Sequence, residues 1–84
     1  MIKAYTTTNS EVAQNNEEIM SKVIDENSNG RTILIDCDEA FAKEIGAKLR
    51  YVFETREDAL SAGADEDGIV NLKSGRVAVD PLYI

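Results

Sequence analysis

Hydrophobic and polar positions change period several times along this chain, and each change marks an element. The first run, Ile2-Lys3-Ala4-Tyr5-Thr6-Thr7, alternates and is rich in β-branched and aromatic residues, which predicts a strand. Thr8-Asn9-Ser10-Glu11 then has the spacing of a capping box, with Thr8 as N-cap and Glu11 reaching back. Val12, Ile19, Met20, Val23 and Ile24 recur at helical spacing, so a long amphipathic helix is expected up to Asn27-Ser28-Asn29-Gly30. Asn15, Asn16, Glu17, Glu18, Lys22, Asp25 and Glu26 make its polar side.

Thr32-Ile33-Leu34-Ile35 is a continuous β-branched and aliphatic run, the pattern of a strand covered on both faces at the centre of a sheet. Asp36 or Asp38 is placed to cap a short helix through Ala40, Phe41, Ala42 and Ile45, which Gly46 closes. Leu49, Tyr51 and Phe53 alternate with Lys48, Arg50 and Glu54, a half-buried strand. Thr55-Arg56-Glu57-Asp58 opens a helical turn ending at Gly63. Ile69-Val70-Asn71-Leu72, Lys73-Ser74-Gly75 and Arg76-Val77-Ala78-Val79 read as a β-hairpin, which Pro81 terminates.

The expected order is therefore β-α-β-α-β-(α)-β-β. It predicts an α/β fold bordering on α+β, a single domain over residues 1–84 with a mixed sheet of four or five strands. Helical crossovers would join parallel strands, and the C-terminal hairpin would add antiparallel ones.

Charge and composition narrow the chemistry. The 84 residues hold 16 acidic against 9 basic side chains, a formal charge of -7, with one Cys and neither His nor Trp. Without imidazole there is no Ser–His or Cys–His nucleophile and no His-based zinc site. The longest apolar run is three residues and no signal-peptide core follows Met1, so no membrane span and a cytoplasmic setting are expected. A lone Cys makes no internal disulfide. Net negative charge repels phosphate backbones, which argues against direct nucleic-acid binding and for a basic protein partner.

Local candidates are few. The apolar strand ending in Asp36-Cys37-Asp38 puts two carboxylates at the edge of a sheet, where they are the one candidate pair for Mg²⁺. Residues 32–38 resemble the first motif of the haloacid-dehalogenase phosphatases, which would make Asp36 a nucleophile in phosphoryl transfer. That family follows the second Asp with Gly and Thr, where this chain has Glu39 and Ala40. Capping of the next helix by Asp38 or Asp36 explains these residues without any metal. Asp65-Glu66-Asp67-Gly68 lacks the alternating ligand spacing of a calcium loop and reads as a solvated turn. Cys37 lies among Asp36, Asp38 and Glu39, whose charges oppose a thiolate. Thr6-Thr7-Thr8-Asn9-Ser10 precedes a helix but contains no Gly-rich loop, so capping again accounts for it.

What remains is distributed. Acids cluster at Glu54, Glu57 and Asp58 and again at Asp65, Glu66 and Asp67, and the chain ends in the apolar Pro81-Leu82-Tyr83-Ile84. These residues suggest a non-catalytic interaction domain. Carboxylates would steer a basic partner, with Tyr83, Leu82 or Tyr5 as apolar anchors and no cofactor. Rows of carboxylates facing a basic groove are also the logic of a nucleic-acid mimic, as in small phage-encoded inhibitors of host defence. The C-terminal apolar residues admit a homodimer as well. Two rivals stand beside this reading: a small Mg²⁺-dependent phosphoryl-transfer enzyme or subunit using Asp36 and Asp38, and a structural subunit that pairs a sheet edge with a neighbour.

Overall fold

The first strand, β1 (Ile2–Thr8), forms as its alternation requires and lies between two strands that both run against it. The structure, a computed structural model, describes residues 2–84. After β1 come α1 (Glu11–Gln14), α2 (Glu17–Ser21), β2 (Val23–Glu26), β3 (Thr32–Ile35), α3 (Glu39–Ile45), β4 (Lys48–Phe53) and α4 (Arg56–Ser61). A 3-10 turn over Glu66–Gly68 leads into β5 (Ile69–Asn71) and β6 (Val77–Val79), and a second covers Pro81–Tyr83. The domain is mixed α+β, with six strands and four α-helices among the described residues. No helix among them is long and apolar enough to cross a membrane.

The sheet has the order β2-β3-β1-β4-β6-β5, and every neighbouring pair is antiparallel. This corrects the expectation of four or five strands with parallel pairing. β3 and β4, joined through α3, do run in the same direction, because both oppose β1. β1 is inserted between them, so the crossover produces no parallel ladder.

The long first helix is corrected too. Ser10, not Thr8, caps α1 by accepting the Ala13 N–H, and Thr8 stays in β1. Asn16 starts a new helix by accepting the Ile19 N–H, so the Asn15-Asn16 step breaks the stripe in two. Val23–Glu26 then pairs with β3 as a strand, with a bulge between Val23 and Asp25. Three local signals behave as read. Asp38 caps α3 through the Phe41 N–H, Thr55 caps α4 through the Asp58 N–H, and Gly46 ends α3 at a left-handed φ of 73°. Gly75, at φ 96°, turns the β5–β6 hairpin.

Side chains on the two faces of the sheet do different work. Ile33 and Ile35 point outwards and pack with Ile19 of α2, Phe41 and Ile45 of α3, and Tyr5. Phe53, Val77 and Val79 point outwards in the other half and meet Ala59 of α4 and Ala64. On the inner face Ala4, Leu34, Val52, Leu72 and Ala78 meet one another. β3 is thus covered on both faces, as its continuous apolar run predicts.

Among the described residues no α-helix contributes to the inner-face cluster; the sheet covers it by curling until its edges meet. A bridge joins Asn27, just past β2, to Leu72, just past β5. Around it the Ser28 N–H donates to the Asn71 carbonyl at 2.9 Å, and the Lys73 N–H donates to the Glu26 carbonyl at 2.9 Å. Asp25 completes this clasp. Its side chain, 4% exposed, pairs with the Arg76 guanidinium at 3.2 Å and accepts from the Ser74 hydroxyl and N–H and from the Glu26 N–H. Burial alone would raise the Asp25 pKa, but these donors and the Arg76 charge outweigh it and hold the carboxyl below its usual value.

Candidate functional site

The acidic residues singled out from the sequence lie at the start of α4 and in the Glu66–Gly68 turn that follows it, and the chain's last turn touches that turn. Glu54 precedes the Thr55 cap, and Glu57 and Asp58 occupy the first turn of α4, where the helix N-terminus favours negative charge. Arg56 reaches from that turn to Glu66 at 2.7 Å, tying α4 to the Glu66–Gly68 turn. Asp65 caps the turn by accepting the Asp67 N–H. The Asp65 N–H in turn donates to the Tyr83 carbonyl at 2.7 Å. Glu54, Glu57, Asp58, Asp65 and Asp67 are exposed and have no ion-pair partner among the described residues.

Tyr83 is held against this region by shape. A Cβ on Gly68 would run into the Cβ and ring of Tyr83, so the turn needs Gly there to let Tyr83 pack against its backbone. Gly68→Ala is expected to lift the tail and cost about 1–2 kcal/mol, read as a loss of hydrogen-exchange protection at the Asp65 N–H. Tyr83 stays 44% exposed, and Leu82 beside it is 89% exposed. Tyr5, the other aromatic anchor suggested by the sequence, packs instead against the Ile33–Ile35 cluster.

The other sequence candidates take structural roles. Asp38 is engaged as the cap of α3, and Asp36 is exposed with its N–H donated to the Lys22 carbonyl. Among the described residues no three His, Cys, Asp or Glu side chains converge as metal ligands. Burial pushes the Cys37 thiol pKa up, Asp38 and Asp36 add to the rise, and Lys22 only partly opposes it, so a thiolate is disfavoured. Thr6 donates its hydroxyl to the Ile33 carbonyl at 3.1 Å, inside the sheet rather than at a phosphate loop.

One feature had little signal in the sequence. Where the inner face fails to fill, a cavity of about 210 Å³ is lined by Thr6, Asn27, Thr32, Leu34, Arg50, Val70, Leu72 and Ala78. Arg50 had read as the polar side of a half-buried strand. The alternation is real, but the side away from the helices is the concave one, so Arg50 faces the cavity. Its guanidinium donates to the Leu49 carbonyl at 2.7 Å and stands 3.5 Å from Asp80, its cross-strand neighbour. No protein-family model, curated protein or solved structure matches the chain.

Proposed function

We propose that this chain is a non-catalytic acidic interaction domain that receives a basic protein on the surface built by α4, the Glu66–Gly68 turn and the C-terminal turn. The observation that carries the reading is the set of five exposed carboxylates without a cation, Glu54, Glu57, Asp58, Asp65 and Asp67, next to half-exposed Tyr83. Arg56, the cation inside this region, is already taken by Glu66. Such a surface attracts a basic groove over a Debye length of about 10 Å at 0.1 M salt, and the aromatic supplies short-range contact. Proteins that handle nucleic acids carry grooves of that kind, because they must neutralise phosphates. An inhibitor that imitates nucleic acid, working in the cytoplasm, is the specific form of this reading. Self-association through the exposed Leu82 and Ile84 belongs to it as well.

The test uses the wild-type chain beside E54Q/E57Q/D58N/D67N, which leaves the Thr55 and Asp65 caps in place. Both are immobilised and presented with lysate at low and moderate salt, and the retained proteins are identified by mass spectrometry. The expected result is a basic protein held by the wild type, released as salt rises, and lost in the variant. Equal retention by the two chains would overturn the proposal, provided their circular dichroism and melting curves agree.

A further inference from the structure

We infer that the concave face of the sheet binds a small organic acid, with its carboxylate on Arg50 and its hydrocarbon body among Leu34, Val70, Leu72 and Ala78. The cavity lining shares no residue with the acidic surface, although Asp80, the cap of the C-terminal turn, stands 3.5 Å from Arg50.

Size comes first. Close-packed interiors hold few voids larger than a water molecule, yet here two of the inner residues, Ala4 and Ala78, are small and about 210 Å³ stays open. An apolar cavity of about 150 Å³ takes up benzene, so this one holds a compact molecule somewhat larger than benzene. Val70 lines the cavity and is 45% exposed, which places an opening to solvent beside it.

Charge comes next. A second cavity of about 410 Å³ is lined by Thr6, Thr7, Thr8, Thr32, Ile45, Gly46 and Lys48, so the two meet at Thr6 and Thr32. Arg50 and Lys48 are the charged residues of these linings, and no carboxylate is among them. In a chain with 16 acids against 9 bases, linings that hold two cations and no carboxylate are unusual, although Asp80 stands 3.5 Å from Arg50 just outside them. An anionic ligand suits such a lining better than a cationic one.

The free donors of Arg50 then define the headgroup. The side chain is 22% exposed, and its one hydrogen bond among the described residues goes to its neighbour's carbonyl. Asp80, at 3.5 Å, lies beyond good hydrogen-bond distance, and its other oxygen accepts the Leu82 N–H. Of the five N–H donors of the guanidinium, one is spent on a hydrogen bond within the described residues, so a ligand carboxylate has donors to meet, in competition with the long Asp80 contact. A neutral ligand would leave those donors unused. A bare inorganic anion would gain nothing from Leu34, Val70, Leu72 and Ala78, whose surface rewards only hydrocarbon.

The experiment titrates the full ¹⁵N-labelled chain with benzoate, isovalerate, benzyl alcohol and inorganic phosphate. At least one of the two acids should shift the amides of Thr6, Leu34, Arg50, Val70 and Ala78 saturably, with Kd in the millimolar range that such small ligands reach. Benzyl alcohol and phosphate should each bind at least about tenfold more weakly. Arg50→Gln should weaken the acid by a similar factor. Ala78→Val, which keeps Arg50 and narrows the cavity, should do the same and guards against misreading a folding defect. No saturable shift with either acid would overturn the inference. So would benzyl alcohol binding as tightly as benzoate, or phosphate matching the acids, since the first denies the carboxylate and the second denies the apolar pocket.

Discussion

Replacing Ile35 by Ala is expected to lower the stability of the fold by about 4 kcal/mol. Ile35 is 0% exposed and sits where β3 meets its two neighbours, opposite Tyr5 on β1 and Val23 on β2. Its side chain belongs to the cluster through which α2 and α3 dock, with Ile19, Phe41 and Ile45 as partners. Those helices span five and seven residues, too short to hold together without tertiary packing. A void at Ile35 therefore removes the surface that keeps them helical as well as the contacts of the deleted atoms. For a domain of this size the loss corresponds to a fall in melting temperature of roughly 20 °C. Ile35→Val, which removes one methylene, should cost only about 1 kcal/mol. Thermal melts of both variants check this, and similar melting temperatures for Ile35→Ala and the wild type would show that β3 is not the centre of the core.

Asp25→Ala should cost about 3 kcal/mol, because it removes the carboxylate shared by the Arg76 guanidinium and the Ser74 hydroxyl and N–H, and leaves the guanidinium only its 3.3 Å hydrogen bond to Ser74 Oγ. Asp25→Leu combined with Arg76→Met should cost less than Asp25→Ala alone, since a buried pair replaced as a unit leaves no orphaned charge. The pH dependence follows in sign. The folded pKa of Asp25 lies below its unfolded value, so the native state releases this proton more readily than the unfolded chain. The clasp's contribution is fully present above the unfolded pKa of about 4 and is lost as pH falls through the lower folded pKa. The gap in melting temperature between the wild type and Asp25→Asn should therefore be widest near neutral pH and shrink in acid. A gap that stays constant down to pH about 2 would separate Asp25 from the acid limb.

The same residue shows why part of the fold was not legible in the chain. β2 has four residues, and its inward position is a carboxylate, so it offers no apolar alternation to read as a strand. Asp25 is tolerated there because its partners come from 49 and 51 positions away, a distance no local pattern spans. Ile19, Met20, Val23 and Ile24 fit helical spacing equally well, yet α2 ends at Ser21 with Lys22 as its C-cap, which leaves the first two in a helix and the last two in β2. Where the determinants are local, the reading agrees with the structure: the Asp38 and Thr55 caps, the left-handed Gly46, and the hairpin turning at Gly75. The candidate acidic residues were legible one by one, but the Arg56–Glu66 and Asp65–Tyr83 contacts, which tie α4 and the last turn to the Glu66–Gly68 turn, were not. Arg50 was visible only as one more polar residue in an alternating strand. Which side of that strand is concave depends on six strands curling together.

The clasp also sets an order of events during synthesis. The β2–β3 and β5–β6 hairpins are each local and can form within microseconds, whereas closure must bring together Asp25 and Ser74, which lie 49 positions apart. A nascent chain at about 5–20 residues per second holds β2 for seconds before residues 71–76 are made. In that interval the main-chain groups of Glu26 and Ser28 have no strand to meet, and the half-built sheet is open to a neighbouring copy on the same message.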